Sequence, residues 1–68
     1  MATLTEYRAD IERGERGEFR DAEPGATAAM FGVMAHQIRG ALWQPSYQEE
    51  AMALADRAQR LARTLPRD

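Results

Sequence analysis

The chain has 68 residues, no cysteine, one histidine and a formal net charge of −2. These values exclude a second domain, a disulfide framework and a thiolate metal site, whereas the charge argues neither for nor against nucleic acid as a partner. Small domains of this size gain stability from disulfides, metals or oligomerisation. Because the sequence offers neither of the first two, we expect oligomerisation to reinforce the fold.

The amino-acid usage gives one indication of origin. All nine basic residues are arginine, lysine and asparagine are absent, and thirteen residues are alanine. This usage is typical of GC-rich coding sequences, so we expect a bacterial or phage protein. The first residues form no basic region followed by an apolar core, and no apolar run reaches the roughly 18 residues of a membrane span. We therefore predict a cytoplasmic protein.

A short first helix is predicted over residues 3–13. Thr3 and Glu6 have the T-x-x-E spacing of a capping box, in which each side chain accepts a hydrogen bond from the other residue's backbone N–H. One narrow apolar stripe follows the i, i+3, i+7 spacing of a helix: Leu4, Tyr7 and Ile11. Gly14 is expected to cap the helix at its C-terminus.

Residues 14–25 are predicted to form a charged linker, since they carry six charged residues, three glycines and one proline. Phe19 is the only large apolar residue of this segment. Its ring either anchors the linker to the core or serves as a recognition residue in an acidic segment.

The central helix is predicted over residues 26–43, with Pro24 suited to its first turn. Residues 26–35 are apolar except for Thr27, and a helix that is apolar at every angle must be covered on all sides. One seam of this helix has the a/d spacing of a helix pair: Ala28, Phe31, Ala35, Ile38 and Leu42. Gly32 shares a face with Ala28 and is expected to permit close approach of a neighbouring helix.

The third helix is predicted over residues 46–65, where Ser46 and Glu49 have the spacing of a second capping box and Pro66 stops the helix. Its apolar seam alternates small and large residues: Tyr47, Ala51, Leu54, Ala58, Leu61 and Leu65. A short connection between two helices produces an antiparallel αα-hairpin. We predict an all-α single domain over residues 1–68, with a short N-terminal helix and an αα-hairpin, assembled as a dimeric helical bundle.

Catalysis is poorly supported by the sequence, and we predict no catalytic, cofactor-binding or metal-binding residue. A nucleophile needs a neighbouring base, but Ser46 is assigned to capping and His36 lies more than ten residues from any acid in the sequence. Glu49 and Glu50 lie in the first turn of a helix, where the helix dipole favours negative charge.

Nucleic-acid binding is the alternative function that the sequence permits. Four arginines lie along the last helix and could meet phosphate groups: Arg57, Arg60, Arg63 and Arg67. Cations at the C-terminal end of a helix also complement its dipole. No helix-turn-helix signature and no aromatic platform for single strands accompanies these arginines.

A surplus of apolar surface on the central helix favours protein binding. Five residues are predicted to form the interface: Met30, Val33, Met34, Tyr7 and Ile11. Methionine adapts to irregular partners and recurs at interaction surfaces. The residues either complete a three-helix core within one chain, join two copies, or dock on a larger protein. We predict a non-enzymatic interaction module, a regulator, inhibitor or accessory subunit, with a protein partner or a second copy and without a small-molecule substrate or membrane.

Overall fold

The computed structural model describes residues 3–18 and 24–65, apart from the side chains of residues 24–26. This part of the chain forms three α-helices: α1 (Leu4–Glu15), α2 (Pro24–Gly40) and α3 (Pro45–Thr64). The all-α, three-helix prediction is confirmed. Phe19, Pro66 and Arg67 lie outside the described residues, so the roles predicted for them are not addressed by the structure.

Helix α1 begins at the predicted capping box. The Thr3 Oγ1 atom accepts a hydrogen bond from the Glu6 N–H at 3.2 Å, and Glu6 Oε2 accepts one from the Thr3 N–H at 3.2 Å. The two side chains thus satisfy backbone donors that have no partner inside the helix.

The end of α1 corrects the role predicted for Gly14, which is buried inside the helix. The helix ends at Glu15 with Arg16 as its C-cap, and the glycine that terminates it is Gly17, whose φ of 76° is accessible to glycine at little cost. The Gly17 N–H donates to the Gly14 carbonyl at 3.1 Å, and the Glu18 N–H donates to the Arg13 carbonyl at 3.0 Å. This is the hydrogen-bond pattern of a Schellman motif.

Helix α2 ends at Gly40, three residues earlier than predicted, and Leu42 is completely exposed beyond it. In a continued helix the Leu42 N–H would donate to the Ile38 carbonyl. The indole N–H of Trp43 donates to that carbonyl instead, at 2.8 Å, and Trp43 packs against the core. Leu42 is therefore not part of the seam.

Helix α3 begins at Pro45, so the predicted capping box of Ser46 and Glu49 is wrong. Pro45 occupies the first helical turn, where its fixed φ and missing N–H are tolerated. The N-cap is consequently Gln44, whose side chain makes no capping hydrogen bond. At the other end the Leu65 N–H donates to the Leu61 carbonyl at 2.9 Å.

The core combines most of the predicted seams of α2 and α3, without Leu42 and Tyr47, with two residues of α1, Leu4 and Ile11. Its largest fully buried side chains are Phe31, Ile11, Ile38 and Leu54. Ion pairs connect the helices at the surface: Arg8 with Glu50 and Arg57 with Glu15 join α1 to α3, and Arg39 with Asp56 joins α2 to α3.

Candidate interaction surfaces

The structure divides the predicted interface residues into two groups. Met34 and Ile11 are buried in the core, and Tyr7 packs partly buried against it. Met30 and Val33 remain 39% and 56% exposed. The surplus apolar surface of α2 is therefore smaller than predicted, because α1 joins the same buried cluster as Met34.

The exposed face of α2 carries no arginine and no acidic residue over its central turns. Ala29, His36 and Gln37 lie beside Met30 and Val33 on the helix surface and are all exposed. We call Ala29, Met30, Val33 and Gln37 the outer α2 face. A face that combines partly exposed apolar side chains with an absence of charge has the composition of an interface core.

A second apolar surface lies at the connection between α2 and α3, where Leu42 is completely exposed and Tyr47 is half exposed. Trp43 lies beside them, and its ring meets the edge of Tyr7 with centroids 6.4 Å apart and an interplanar angle of 80°. The Tyr7 hydroxyl donates to Gln37 Oε1 at 3.4 Å. The sequence did not indicate this surface, because Leu42 and Tyr47 both fitted the predicted seams.

Arg57 is engaged by an acid of α1. Its Nη2 and Nε donate to the two carboxylate oxygens of Glu15 at 2.5 and 3.1 Å. The hydrogen bond from Arg57 holds the pKa of Glu15 below its usual value, and the hydrogen bond to Glu15 raises the pKa of Arg57. The charge of Arg57 is therefore compensated by Glu15, which makes Arg57 less suited to contact nucleic acid than Arg60 and Arg63.

Arg60 and Arg63 border an open surface depression of about 390 Å³ between α2 and α3. Its lining comprises Arg39, Asp56, Gln59, Arg60, Arg63 and Thr64. Arg39 comes from α2 and was not predicted, since only packing of the two helices brings it to the arginines of α3. The one available signal was its position in the last turn of α2, near the short connection.

The residues weighed for catalysis lie on two helices, His36 on α2 and Ser46 and Glu49 on α3. Ser46, His36 and Glu49 are each exposed, and over residues 3–18 and 24–65 no three His, Cys, Asp or Glu residues are grouped so as to hold a metal ion. In the same part of the chain, none of the helices combines the length and apolar character needed to cross a bilayer.

Comparison of the chain with protein-family models, with curated proteins and with solved structures finds no significant match.

Proposed function

We propose that this protein is a non-enzymatic helical module that acts by docking, and that its first partner is a second copy of itself. The observation that supports this proposal is the exposure of Met30 and Val33 on the outer α2 face. That face carries no charge, so two copies related by a two-fold axis meet without like-charge repulsion. Burial of these side chains adds apolar area to a small core.

The proposed subunit contains an antiparallel hairpin of α2 and α3. Two contacts support this arrangement: Arg39 near the end of α2 pairs with Asp56, whereas Gly32 in the middle of α2 faces Ala62 near the end of α3. The connection over residues 41–44 is short enough for neighbouring helices. The outer α2 face then lies away from α3 and is available to a second copy, giving a dimeric helical bundle.

The proposed setting is the cytoplasm of a bacterium or its phage, where such a module acts as a regulator, inhibitor or accessory subunit. The arginine-only basic composition supports the bacterial or phage origin. A dimer that presents a further surface, such as the one around Leu42 and Tyr47, has the means to engage a larger protein.

Light scattering combined with sedimentation equilibrium tests the self-association. We expect the parent protein to be dimeric at micromolar concentration and Val33→Glu to yield the 7.7 kDa monomer. In a dimer this substitution would place two carboxylates, one from each copy, in one apolar interface. Ala53→Glu is the matched control, since Ala53 is exposed on α3, and this variant should stay dimeric. A parent protein that is a cooperatively folded monomer would contradict the proposal, as would a Val33→Glu variant that remains a dimer.

A second candidate function is nucleic-acid binding. The observation that favours it is the state of Arg60 and Arg63, whose guanidinium groups form no ion pair with any described residue. Fluorescence anisotropy with a labelled oligonucleotide measures the affinity for nucleic acid. We expect an affinity that falls with the logarithm of salt concentration and weakens in Arg63→Gln, whereas an absence of binding at low salt removes this candidate.

A further inference from the structure

The depression between α2 and α3 is rich in hydrogen-bond donors and poor in acceptors. Among the residues that the structure describes, three guanidinium groups line it, from Arg39, Arg60 and Arg63, against the single carboxylate of Asp56. Guanidinium groups only donate hydrogen bonds, and they match the planar geometry of carboxylate and phosphate oxygens. An excess of such donors around one concave surface favours an anionic ligand over a cation.

Arg39 is the fixed member of this set. Its Nη2 donates to Asp56 Oδ1 at 2.9 Å, and its Nη1 donates to Gln59 Oε1. Two partners on α3 hold the guanidinium of an α2 side chain in one orientation. A ligand that binds beside Arg39 therefore loses less affinity to side-chain ordering than it would at an unrestrained arginine.

Gln59 contributes a neutral donor that is oriented by the same contact. Because its Oε1 accepts from Arg39, the Nε2 amide group of Gln59 is the part that remains to donate hydrogen bonds. The hydroxyl of Thr64, by contrast, already donates to the Arg60 carbonyl at 3.0 Å. The donors that remain for a ligand belong to Gln59 and the arginines.

We propose that this depression, called here the Arg39 site, binds a phosphate-class oxyanion with Arg39, Arg60, Arg63 and Gln59 as its donors. The phosphate belongs either to a small free phosphate compound or to a nucleic-acid backbone. If the phosphate belongs to nucleic acid, the inference rests on the second candidate function, nucleic-acid binding. If the phosphate belongs to a small free compound, the inference is independent of nucleic-acid binding. The site is open to solvent, so its affinity is modest and falls as salt is added.

Chemical-shift titration with sodium pyrophosphate at low salt tests the Arg39 site. We expect saturable shifts at the backbone amides of the lining residues and a roughly tenfold weaker affinity in Arg63→Gln, since a charge-assisted hydrogen bond is lost. Arg57→Gln is the matched control: it removes the same charge from the same helix, but from an arginine already engaged by Glu15. Its affinity should stay within about twofold of the parent protein's.

Asp56→Asn gives a change in the opposite direction. Asparagine retains an oxygen that accepts from Arg39 but removes the one negative charge among the described lining residues, so pyrophosphate should bind severalfold more tightly. Loss of folding does not produce tighter binding, which separates this result from a structural defect. Glu49→Gln, which neutralises an exposed acid in the first turns of α3, is the control and should leave the affinity unchanged.

An oligonucleotide titration of the same variants distinguishes the two sources of phosphate. Parallel weakening of oligonucleotide and pyrophosphate binding in Arg63→Gln identifies the nucleic-acid backbone as the source. Pyrophosphate binding without oligonucleotide binding supports the Arg39 site and removes the nucleic-acid candidate. Equal oligonucleotide binding to the parent protein and Arg63→Gln excludes the nucleic-acid backbone as the source. The inference is overturned if pyrophosphate gives no saturable shifts, or if Arg57→Gln weakens pyrophosphate binding as much as Arg63→Gln does.

Discussion

Gly14 occupies a position in α1 that leaves no space for a side chain. A Cβ atom built on it would lie 2.7 Å from Phe31 Cε2 and 3.1 Å from Leu61 Cδ1. The ring of Phe31 is fully buried and has no free space into which to move. Glycine inside a helix costs about 1 kcal/mol relative to alanine, and at this position the cost is offset by the close approach of α1 to the core.

Gly32 in α2 offers the matched comparison. The nearest atom to a Cβ built there would be Ala62 Cβ at 3.8 Å, an ordinary contact distance. We expect Gly14→Ala to lower the free energy of unfolding by about 1–3 kcal/mol through overpacking, and Gly32→Ala to raise it by roughly 0.5–1 kcal/mol through helix propensity. Urea unfolding followed by circular dichroism measures both. Changes of the same sign in the two variants would contradict this account.

The roles of these glycines show where sequence reasoning stopped. It assigned the termination of α1 to Gly14, whereas in the structure Gly17 terminates α1 and Gly14 permits the close approach of α1 to the core. Gly14 and Gly17 both lie in a charged, polar stretch of the sequence, and no local pattern distinguishes their roles. The distinction depends on Phe31, a residue far along the chain that a helical period does not connect to α1.

At the scale of the elements, helices α1 and α3 begin in different ways. Helix α1 starts with reciprocal hydrogen bonds between Thr3 and Glu6, whereas α3 starts at Pro45 without side-chain capping. The two starts resembled each other in the sequence because T-x-x-E and S-x-x-E have the same spacing. Proline resolves the ambiguity, since its preference for the first helical position displaces the N-cap to Gln44.

Alanine substitutions at the two helix starts test this difference. Thr3→Ala should lower the free energy of unfolding by about 1 kcal/mol, because a backbone N–H loses its capping partner. Ser46→Ala should change it by less than about 0.5 kcal/mol, as expected for a surface position without such a role. Denaturation midpoints at neutral pH report both values. A larger loss in Ser46→Ala than in Thr3→Ala would restore the capping role to Ser46.

Helix number, order and approximate length followed from the apolar periodicity of the sequence, and so did most core positions. The errors lie where a contact that the helical period does not describe decides the outcome. Leu42 fitted the seam of α2, but the Trp43 indole takes the Ile38 carbonyl and ends the helix first. Met34 and Ile11 were both assigned to the interface, with a core within one chain as the alternative, and both are buried in the core. The position of Arg39 beside the arginines of α3 likewise required the packed helices.

For the molecule as a whole, ion pairs supplement a small apolar core. Arg57 and Glu15 join α1 to α3 through two hydrogen bonds, and Arg8 and Glu50 form a further link between the same helices. Both pairs are partly exposed, and such pairs contribute about 0–1 kcal/mol each. Their effect is on the docking of α1 rather than on the formation of any one helix.

This link predicts a pH dependence of global stability. The pKa of Glu15 is lowered in the folded protein by its hydrogen bond from Arg57, so the unfolded chain binds the proton more readily. The stabilisation is therefore present above the ordinary carboxyl pKa of about 4.3 and is lost as pH falls through the lowered folded value. Glu15→Gln should be less stable than the parent protein at pH 7, by less than about 1 kcal/mol.

The difference between Glu15→Gln and the parent protein should shrink steadily as the solution is acidified below about pH 4. Urea unfolding of both proteins across this range measures it. Glu49→Gln serves as the reference for removal of an exposed acid that has no ion pair with any described residue. A stability difference that stays constant with pH would show that the ionised carboxylate of Glu15 has no part in it.

The position of Trp43 has a consequence for how this molecule is observed. It is the only tryptophan of the chain, and its indole is bonded to the last turns of α2 while its ring meets Tyr7 of α1. Selective excitation of this fluorophore reports two events at once: formation of the connection between α2 and α3, and packing of α1 against Trp43. The protein therefore carries an intrinsic optical probe of its own assembly, and the undocking of α1 is visible without any added label.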